Sequence, residues 1–212
     1  KNPCAEKLFV VYLTIDRRQD RLKILKIDRD EKMKVIFAYG STRPQSVGQK
    51  VLKAMARSAA QAGHEVLEYD LTQPLQGCRG CAVCRKTGGN CCQQDSLHDY
   101  FHELFTADQL VICAPMYMGQ AAGQCITFMN RHYCLKDQNK QNRLPEGIKV
   151  NVVFTQGAPA DFPPYQAAQK WYFDSMVRYG FVPGEQKVLG GNSDLSESGP
   201  VMAWAAEWGK NL

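Results

Sequence analysis

The sequence predicts an α/β domain built on a doubly wound, five-stranded parallel sheet with helices on both faces. From residue 33 onward, short apolar runs rich in β-forming residues alternate with segments of helical periodicity, which is typical of parallel sheets. Several of these runs are apolar almost throughout, as strands covered on both faces are. The 212 residues, 44% hydrophobic and 22% charged, suit one sizeable globular core.

The first three elements form a βαβ unit. Residues 33–39 (MKVIFAY) predict strand one, which ends at Gly40 before a polar turn. Residues 46–62 have helical periodicity and end at Gly63, and residues 65–69 predict strand two. A helix between two strands makes them parallel neighbours.

A loop rich in glycine and cysteine follows at residues 73–94. Residues 96–105 then predict a helix capped by Asp95 or Ser96, and residues 109–114 (QLVICA) predict a buried third strand.

The second half of the chain completes the predicted sheet. Its helices are expected at residues 119–132, 164–179 and 197–208, and its strands at residues 149–155 and 182–188. The last helix should be capped by Ser196 or Ser198 and pack Met202, Trp204 and Trp208 on the sheet.

Five strands in such a sheet commonly take the order 2-1-3-4-5. The ligand crevice then lies at the carboxyl ends of strands one and three, where the connections diverge. The loops after Tyr39 and after Ala114 should therefore carry function.

The domain is expected to span residues 33–212, because everything that the sheet needs begins at Met33. Residues 1–32 form an extension with no predicted catalytic role. It is interpreted as one extra strand at residues 8–15 with a charged connector, as an expression artefact, or as an oligomerisation arm.

Charge and hydropathy exclude several classes of protein. The formal net charge is +5, and no basic face with interleaved aromatic residues is found, so no nucleic-acid partner is expected. No run approaches the roughly 18 apolar residues that cross a bilayer, and no membrane partner is expected. The start of the chain lacks a small-residue cleavage pattern, which predicts a cytoplasmic protein.

The segment GSTRPQSVGQ, from Gly40 to Gln49, joins the first strand to the first helix and predicts an anion site. Unpaired amides and the dipole of a helix N-terminus favour a phosphate there, and hydroxyls and Arg43 can add contacts. The segment is neither a Walker P-loop nor a G-x-G-x-x-G fingerprint, which disfavours a nucleoside triphosphate. The alternative is an ordinary capped loop.

GSTRPQSVGQKVL resembles the phosphate loop of the NADPH-dependent FMN reductase family, which has the flavodoxin-like fold. A second segment, from Pro115 to Gly119, resembles that family's flavin loop, together with Gly123 and the run from Phe128 to Arg131. The resemblance spans residue 33 to about residue 190. Many relatives have Asn and Thr where Val47 and Gly48 stand, so backbone amides should do more of the phosphate binding here.

The resemblance implies FMN as cofactor and assigns the residues that hold it. The phosphate would be bound by Ser41, Arg43, Ser46, Val47 and Gly48. The isoalloxazine would be bordered by Pro115, Met116, Tyr117, Met118 and Gly119, with a weaker contribution from Thr155, Gln156 and Gly157. Simple core packing is the alternative for Met116 and Met118.

The cysteine spacing Cys78-x2-Cys81-x2-Cys84-x6-Cys91 suits four thiolates around one iron-sulfur cubane. The pattern resembles the iron-sulfur flavoproteins, a branch of the same family, and implies a 4Fe-4S cluster that passes electrons to FMN. Free or redox-active thiols and structural zinc are the alternatives, and Cys92 is an alternative ligand to Cys91. The apolar surroundings of Cys113, Cys125 and Cys134 predict core residues.

The pair His98 and His102 lies at helical spacing, but it lacks a third ligand and is interpreted as a solvated helix face.

A flavin carries its own redox chemistry, so no catalytic side chain is assigned. The resemblance implies an oxidoreductase that moves electrons from NAD(P)H or a ferredoxin-like donor to a small acceptor such as a quinone, nitro or azo compound or oxygen. A non-catalytic flavodoxin-type carrier and a zinc-stabilised module without flavin are the alternatives. A homodimer or homotetramer is expected, because neighbouring subunits often complete flavin pockets in this family.

Overall fold

The computed structural model describes residues 11–16, 21–26, 32–196 and 198–212. The chain divides into two compact units, residues 1–32 and 33–212. Each unit is described by itself.

The first unit contains two antiparallel strands, β1 (Val11–Asp16) and β2 (Arg21–Lys26), with Val11 opposite Lys26. The strand predicted at residues 8–15 overlaps β1, and its first three positions lie outside the described residues. The second strand is not predicted from the sequence, because its lysines and arginine are typical of a charged connector. Its alternation of charged and apolar residues is typical of a strand with one exposed face.

The second unit alternates strands with helices, as predicted. Its first half contains β3 (Lys34–Tyr39), α1 (Val47–Gln61), β4 (Glu65–Asp70), α2 (Val83–Thr87), α3 (His98–Leu104), β5 (Gln109–Tyr117) and the short β6 (Gln120–Ala121). Its second half contains α4 (Gly123–Arg131), a 3-10 turn (His132–Leu135), β7 (Lys149–Thr155), α5 (Pro163–Arg178), β8 (Val182–Leu189) and α6 (Pro200–Trp208).

The five main strands form a parallel sheet in the order β4-β3-β5-β7-β8. This is the predicted order 2-1-3-4-5, and it confirms the predicted fold class. The additional strand β6 pairs antiparallel with the end of β5. The carboxyl ends of β3 and β5 therefore lie side by side, with the connections diverging between them.

Each face of the sheet has its own core. Ile36 and Ile112 belong to the cluster that includes residues of α3, α4 and α5, whereas Phe37 and Val111 belong to the cluster with α1 and α6. All four side chains are fully buried. Burying a side chain of this kind contributes about 1.5–3 kcal/mol, so the central strands anchor the loops that follow them.

The structure corrects two predicted caps. Helix α6 begins at Pro200 after Gly199, and neither Ser196 nor Ser198 caps it. The Ser196 hydroxyl instead donates to Asp194 at 2.8 Å, because the two residues share a tight turn. Helix α3 begins at His98, and the Asp95 carboxylate accepts the Leu97 amide at 3.1 Å.

Two short elements were not predicted: α2 lies within the loop of residues 73–94, and β6 follows Gly119. In the part of the chain that the structure describes, no helix has the length and apolar character needed to span a bilayer.

Candidate functional site

A cavity of about 550 Å³ opens at the carboxyl ends of the parallel strands. Its walls come from the loops after β3, β5, β7 and β8, the edge where the sheet topology predicts a ligand. The volume lies in the range of small-molecule sites, roughly 300–1,000 Å³. Its lining residues are Ser41, Arg43, Pro44, Gln45, Ser46, Val47, Pro115, Met116, Tyr117, Thr155, Gln156, Gly157, Leu189, Gly190, Gly191 and Leu195.

The first wall is the turn between β3 and α1. Ser46 is the N-cap of α1, and its hydroxyl accepts the Gln49 amide at 3.2 Å. The amides of Val47 and Gly48 lie in the first turn and have no intrahelical acceptor. No acidic residue lies in that turn, so the helix N-terminus keeps its full attraction for an anion.

Gly48 is held against the sheet and does not line the cavity. A Cβ atom at this position would overlap the Cys113 sulfur. Similarly, a Cβ atom at Gly40 would overlap the Cys125 sulfur. The turn between β3 and α1 therefore lies directly on two buried thiols, which leave no room for a side chain at Gly40 or Gly48.

The second wall is the end of β5. Pro115, Met116 and Tyr117 line the cavity, and the Tyr117 ring lies 5.9 Å from the Arg43 guanidinium carbon. Met118 has a positive φ of 50° and is 98% exposed, in a turn that Gly119 continues with a φ of 80°. These two residues shape the turn into β6 and do not line the cavity.

The third wall follows β7. Thr155, Gln156 and Gly157, which are predicted to contribute to cofactor binding, line the cavity. The Gln156 side chain accepts the Gln169 amide at 2.7 Å and donates to the Pro159 carbonyl at 2.5 Å. Its polar atoms are therefore engaged by the protein.

A fourth wall, after β8, was missed by the sequence analysis. It consists of Leu189, Gly190, Gly191 and Leu195. The Gly191 amide donates to the Ala158 carbonyl at 2.9 Å, which joins this loop to the one after β7. The signal was a glycine pair directly after a predicted parallel strand, at the same edge of the sheet.

Among the lining residues only Arg43 and Tyr117 carry titratable side chains. The nearby Cys113 thiol is fully buried, and burial raises its pKa to about 12. The cavity thus offers a cation and backbone amides that can bind an anion, but no general base. Such a lining suits a cofactor that itself carries the reactive group.

Comparison with known proteins identifies the family. Residues 33–149, more than half of the chain, match the family described as NADPH-dependent FMN reductase. The chain belongs to this family. Both predicted loops, Gly40 to Gln49 and Pro115 to Gly119, lie within the matched residues.

Curated relatives of this FMN reductase family member carry the name iron-sulfur flavoprotein. One, from Methanosarcina thermophila, is 25% identical over 121 residues, which are 57% of this chain and 63% of the relative. Another, from Methanocaldococcus jannaschii, is 30% identical over 100 residues, 47% of this chain and 50% of the relative. The matched part thus spans less than two thirds of each relative.

Solved structures agree on the fold. An NAD(P)H:quinone oxidoreductase from Methanothermobacter marburgensis has a TM-score of 0.66 at 15% identity, covering 85% of this chain and 96% of its own. An azoreductase from Bacillus anthracis has a TM-score of 0.62 at 18% identity, covering 85% and 100%. These likenesses show the flavodoxin-like fold that the sequence predicted.

A second feature of this FMN reductase family member is a small cavity lined by six cysteines. They are Cys78, Cys81, Cys84, Cys91, Cys92 and Cys134. Cys134 is buried, as predicted for a core residue, but its thiol also faces this cavity. Within the described ranges, no three His, Cys, Asp or Glu side chains are grouped to hold a single metal ion.

The six thiols differ in environment. Burial raises the pKa of Cys84, and the neighbouring thiols of Cys91, Cys78 and Cys81 add to it. Burial also raises the pKa of Cys134 to about 12. The pKa of Cys81 is lowered, chiefly because the Val83 amide donates to it.

Arg131 lies away from the flavin loop that its sequence motif suggested. The structure places it on the wall of the cysteine cavity, buried and paired with Asp95. The reason is its position at the end of α4, whereas the cavity at the strand ends lies near the start of that helix. Its Nε atom and the Oε1 atom of Gln93 are buried without hydrogen-bond partners.

The remaining histidines show no site. The His98 and His102 rings lie 5.4 Å apart, with His102 exposed and His98 half-buried. No metal-binding group of three is found among the described residues. The interpretation of this pair as part of a solvated helix face stays a prediction.

Proposed function

We propose that this chain binds FMN at the strand-end cavity and is an FMN-dependent oxidoreductase that takes electrons from NAD(P)H. The observation that carries the proposal is the arrangement of the cavity, where a helix N-terminus with free amides adjoins an apolar slot at the topological switch point. Membership of the FMN reductase family supports the same cofactor.

The cavity fits the two ends of FMN. The Val47 amide, the hydroxyls of Ser41 and Ser46, and the Arg43 guanidinium belong to residues that line the cavity and would hold the phosphate. The Gly48 amide, in the same helical turn as Val47, would add to them although Gly48 does not line the cavity. Arg43 would add a charge-assisted hydrogen bond, which is stronger than a bond between neutral groups.

The apolar end of the cavity would border the isoalloxazine. Pro115, Met116 and Tyr117 would lie on one side, and the segment from Thr155 to Gly157 on another. When bound, FMN supplies hydride and single-electron transfer. The protein orients the ring, and the Arg43 charge lies beside the Tyr117 ring at the mouth of the site.

Small planar acceptors such as quinones, nitro or azo compounds are the proposed substrates. Tyr117 is 37% exposed and Leu195 is 36% exposed, so the cavity has an apolar rim open to solvent. Steady-state oxidation of NADPH and NADH with a quinone tests this proposal. Turnover is expected with FMN bound, whereas negligible turnover alongside rapid electron exchange with a ferredoxin would favour the alternative of a non-catalytic carrier.

We also propose that Cys78, Cys81, Cys84 and Cys91 hold a 4Fe-4S cluster that exchanges electrons with a ferredoxin-like donor. The donor set fits, because several thiols face one cavity beside the buried guanidinium of Arg131, which favours an anionic cluster. The unpartnered Arg131 Nε–H is a further donor that an anionic cluster could satisfy. The names of the curated relatives support the same reading.

Absorbance and iron analysis of anaerobically purified protein test the cluster. About four iron and four sulfide per chain are expected for a 4Fe-4S site. Zinc in place of iron, or thiols that titrate fully with no metal bound, would favour the two alternatives.

The proposed partner in assembly is a second copy of the chain. Met118 is 98% exposed and Trp171 is 48% exposed, and Trp171 shares a surface groove with Gly119 beside the flavin-loop turn. Sedimentation velocity tests this proposal, and substitution of Trp171 by Glu should shift a dimer toward the monomer.

A further inference from the structure

The cysteine loop is closed at its base by one arginine. Arg131 donates to the Gln76 carbonyl at 2.8 Å and to both carboxylate oxygens of Asp95, one of them at 3.1 Å. The Asp95 carboxylate also accepts the Gln76 amide at 3.1 Å. Gln76 and Asp95 flank the five clustered cysteines, so this network joins the two ends of the loop.

A second arginine holds the far turn of the loop. Arg143 donates to the carbonyls of Gly88 and Gly89, the latter at 2.6 Å, and to the Cys134 carbonyl at 2.9 Å. The loop is therefore fastened to the end of α4 by Arg131 and to the segment that follows α4 by Arg143, two side chains that are distant from it in sequence. Contacts among the thiols are not needed to explain its shape.

Arg131 and Arg143 differ in their relation to the thiols. Only Arg131 lines the cysteine cavity, where its guanidinium lies beside Cys91. Arg131 is 1% exposed, and its Nε atom has no partner. A planar guanidinium with two nitrogens fixed by Asp95 cannot turn away, so the remaining N–H keeps a fixed direction.

The charge of Arg131 is balanced by Asp95, but the two groups are not equally placed. Arg131 is on the cavity wall, whereas Asp95 is not among the lining residues and is turned toward Gln76 and Leu97. The thiols consequently face the positive end of a buried dipole. Arg79 also lines this cavity, but it is exposed, and buried charges are screened much less than exposed ones, so the Arg131 charge acts more strongly on the thiols.

We propose that Arg131 is a positioning residue that closes the cysteine loop and raises the reduction potential of the cluster held there. The second part rests on the proposed cluster. Reduction adds negative charge to an iron-sulfur site, and a fixed positive charge beside it stabilises the reduced form. No substrate or flavin contact is assigned to Arg131.

Two variants separate the charge from the structural role. Asp95→Asn leaves the Arg131 charge unbalanced and should raise the cluster potential. The double variant Asp95→Asn with Arg131→Gln removes both charges, leaves amides that can still pair, and should lower it. A change of about tenfold in the reduction equilibrium is expected in each direction, which is about 59 mV for one electron.

The measurement is a redox titration of the cluster followed by electron paramagnetic resonance, with exposed Arg57→Lys on α1 as control. Arg57→Lys should leave the potential unchanged. If the role of Arg131 were purely structural, the reduction potentials of both test variants would shift in the same direction or not at all. Either result would overturn the proposed charge effect.

Hydrogen exchange on cluster-free protein tests the positioning role without any cluster. Arg131→Lys keeps the charge but loses the forked guanidinium, so the amides of residues 77–94 should exchange at least tenfold faster in this variant. Their exchange should be unchanged in Arg57→Lys. Equal exchange in all variants would overturn the loop closure. If the wild-type chain takes up no cluster on reconstitution, the proposed cluster and the potential effect fail together, while the exchange result still decides the positioning role.

Discussion

The flavin cavity, meaning the strand-end cavity proposed to bind FMN, and the cysteine cavity are built in different ways. The flavin cavity is a product of the sheet, because the ends of adjacent parallel strands bring four loops to one edge. The cysteine cavity depends on a long loop that two arginines hold, Arg131 at the end of α4 and Arg143 in the segment after it. The first offers backbone amides, hydroxyls and one arginine beside an apolar slot, whereas the second offers thiols and buried charge.

This contrast predicts that a substitution can disrupt either site without loss of the other. Removing one thiol from the cysteine cavity changes no strand and no loop of the flavin cavity. Conversely, a side chain forced under the phosphate loop should leave the cysteine loop in place.

The largest expected effect is the loss of the cluster in Cys84→Ser. Serine is a poor replacement for a thiolate, so iron and sulfide should fall to background, whereas FMN should stay at about one per chain. Cys134→Ser is the matched control, because Cys134 faces the same cavity but is not one of the proposed ligands. Loss of FMN together with iron in Cys84→Ser would show that the sites are coupled.

Lowering the pH should first destabilise the core on the face of the sheet that carries α3, α4 and α5. His132 is fully buried, bonds the Tyr100 hydroxyl at 2.7 Å, and follows Arg131; burial lowers its pKa to about 4. A His with a depressed pKa gains protons on unfolding, so its stabilisation is complete above its usual pKa of about 6.5. It is lost progressively as the pH falls toward about 4.

The free energy of unfolding should therefore decrease by about 3 kcal/mol between pH 7 and pH 4 from this group. Urea unfolding across that range measures it, and His132→Asn should flatten the profile. A profile equally steep in the variant would assign the acid sensitivity to other groups, with Asp95 the next candidate because its pKa is lowered.

Gly48→Ala should destabilise the turn between β3 and α1 and leave the cysteine loop unchanged. The added methyl would overlap the Cys113 sulfur, and overpacking of this kind costs about 1–3 kcal/mol. Cys113→Ala makes room, so the double variant should recover most of the loss, which urea unfolding of all four proteins would measure. Additive losses would mean that Gly48 is required for another reason.

The smallest expected effect is that of Ser46→Ala. Loss of the N-cap of α1 should cost about 1 kcal/mol of stability and weaken FMN binding. Ser196→Ala is the control, because Ser196 precedes a helix without capping it, and its effect should stay below about 0.5 kcal/mol. Equal losses in the two variants would contradict the role given to Ser46.

The contrast also explains what the sequence could predict. Strand order and the crevice follow from local periodicity plus the rules for parallel sheets, so the sequence predicts functional loops after Tyr39 and after Ala114. In the structure β5 continues to Tyr117, three residues beyond the predicted strand end. The wall at Gly190 and Gly191 follows from the same rule but was overlooked.

The contacts of the cysteine loop could not be predicted in this way. Arg131 and Asp95 are separated by 36 residues, and Arg143 and Gly89 by 54. No local pattern links such pairs, and the motif around Arg131 pointed to the flavin loop instead. Likewise, nothing in the spacing of the cysteines indicated that Cys134 would face their cavity.

The most direct test of the central claim is equilibrium titration of the cluster-free chain with FMN and with riboflavin, which lacks the phosphate. FMN should bind about 100-fold more tightly, a difference of about 2.7 kcal/mol, because the amides at the start of α1 and Arg43 act on the phosphate. Equal affinity for the two flavins, or no binding of either, would contradict the account.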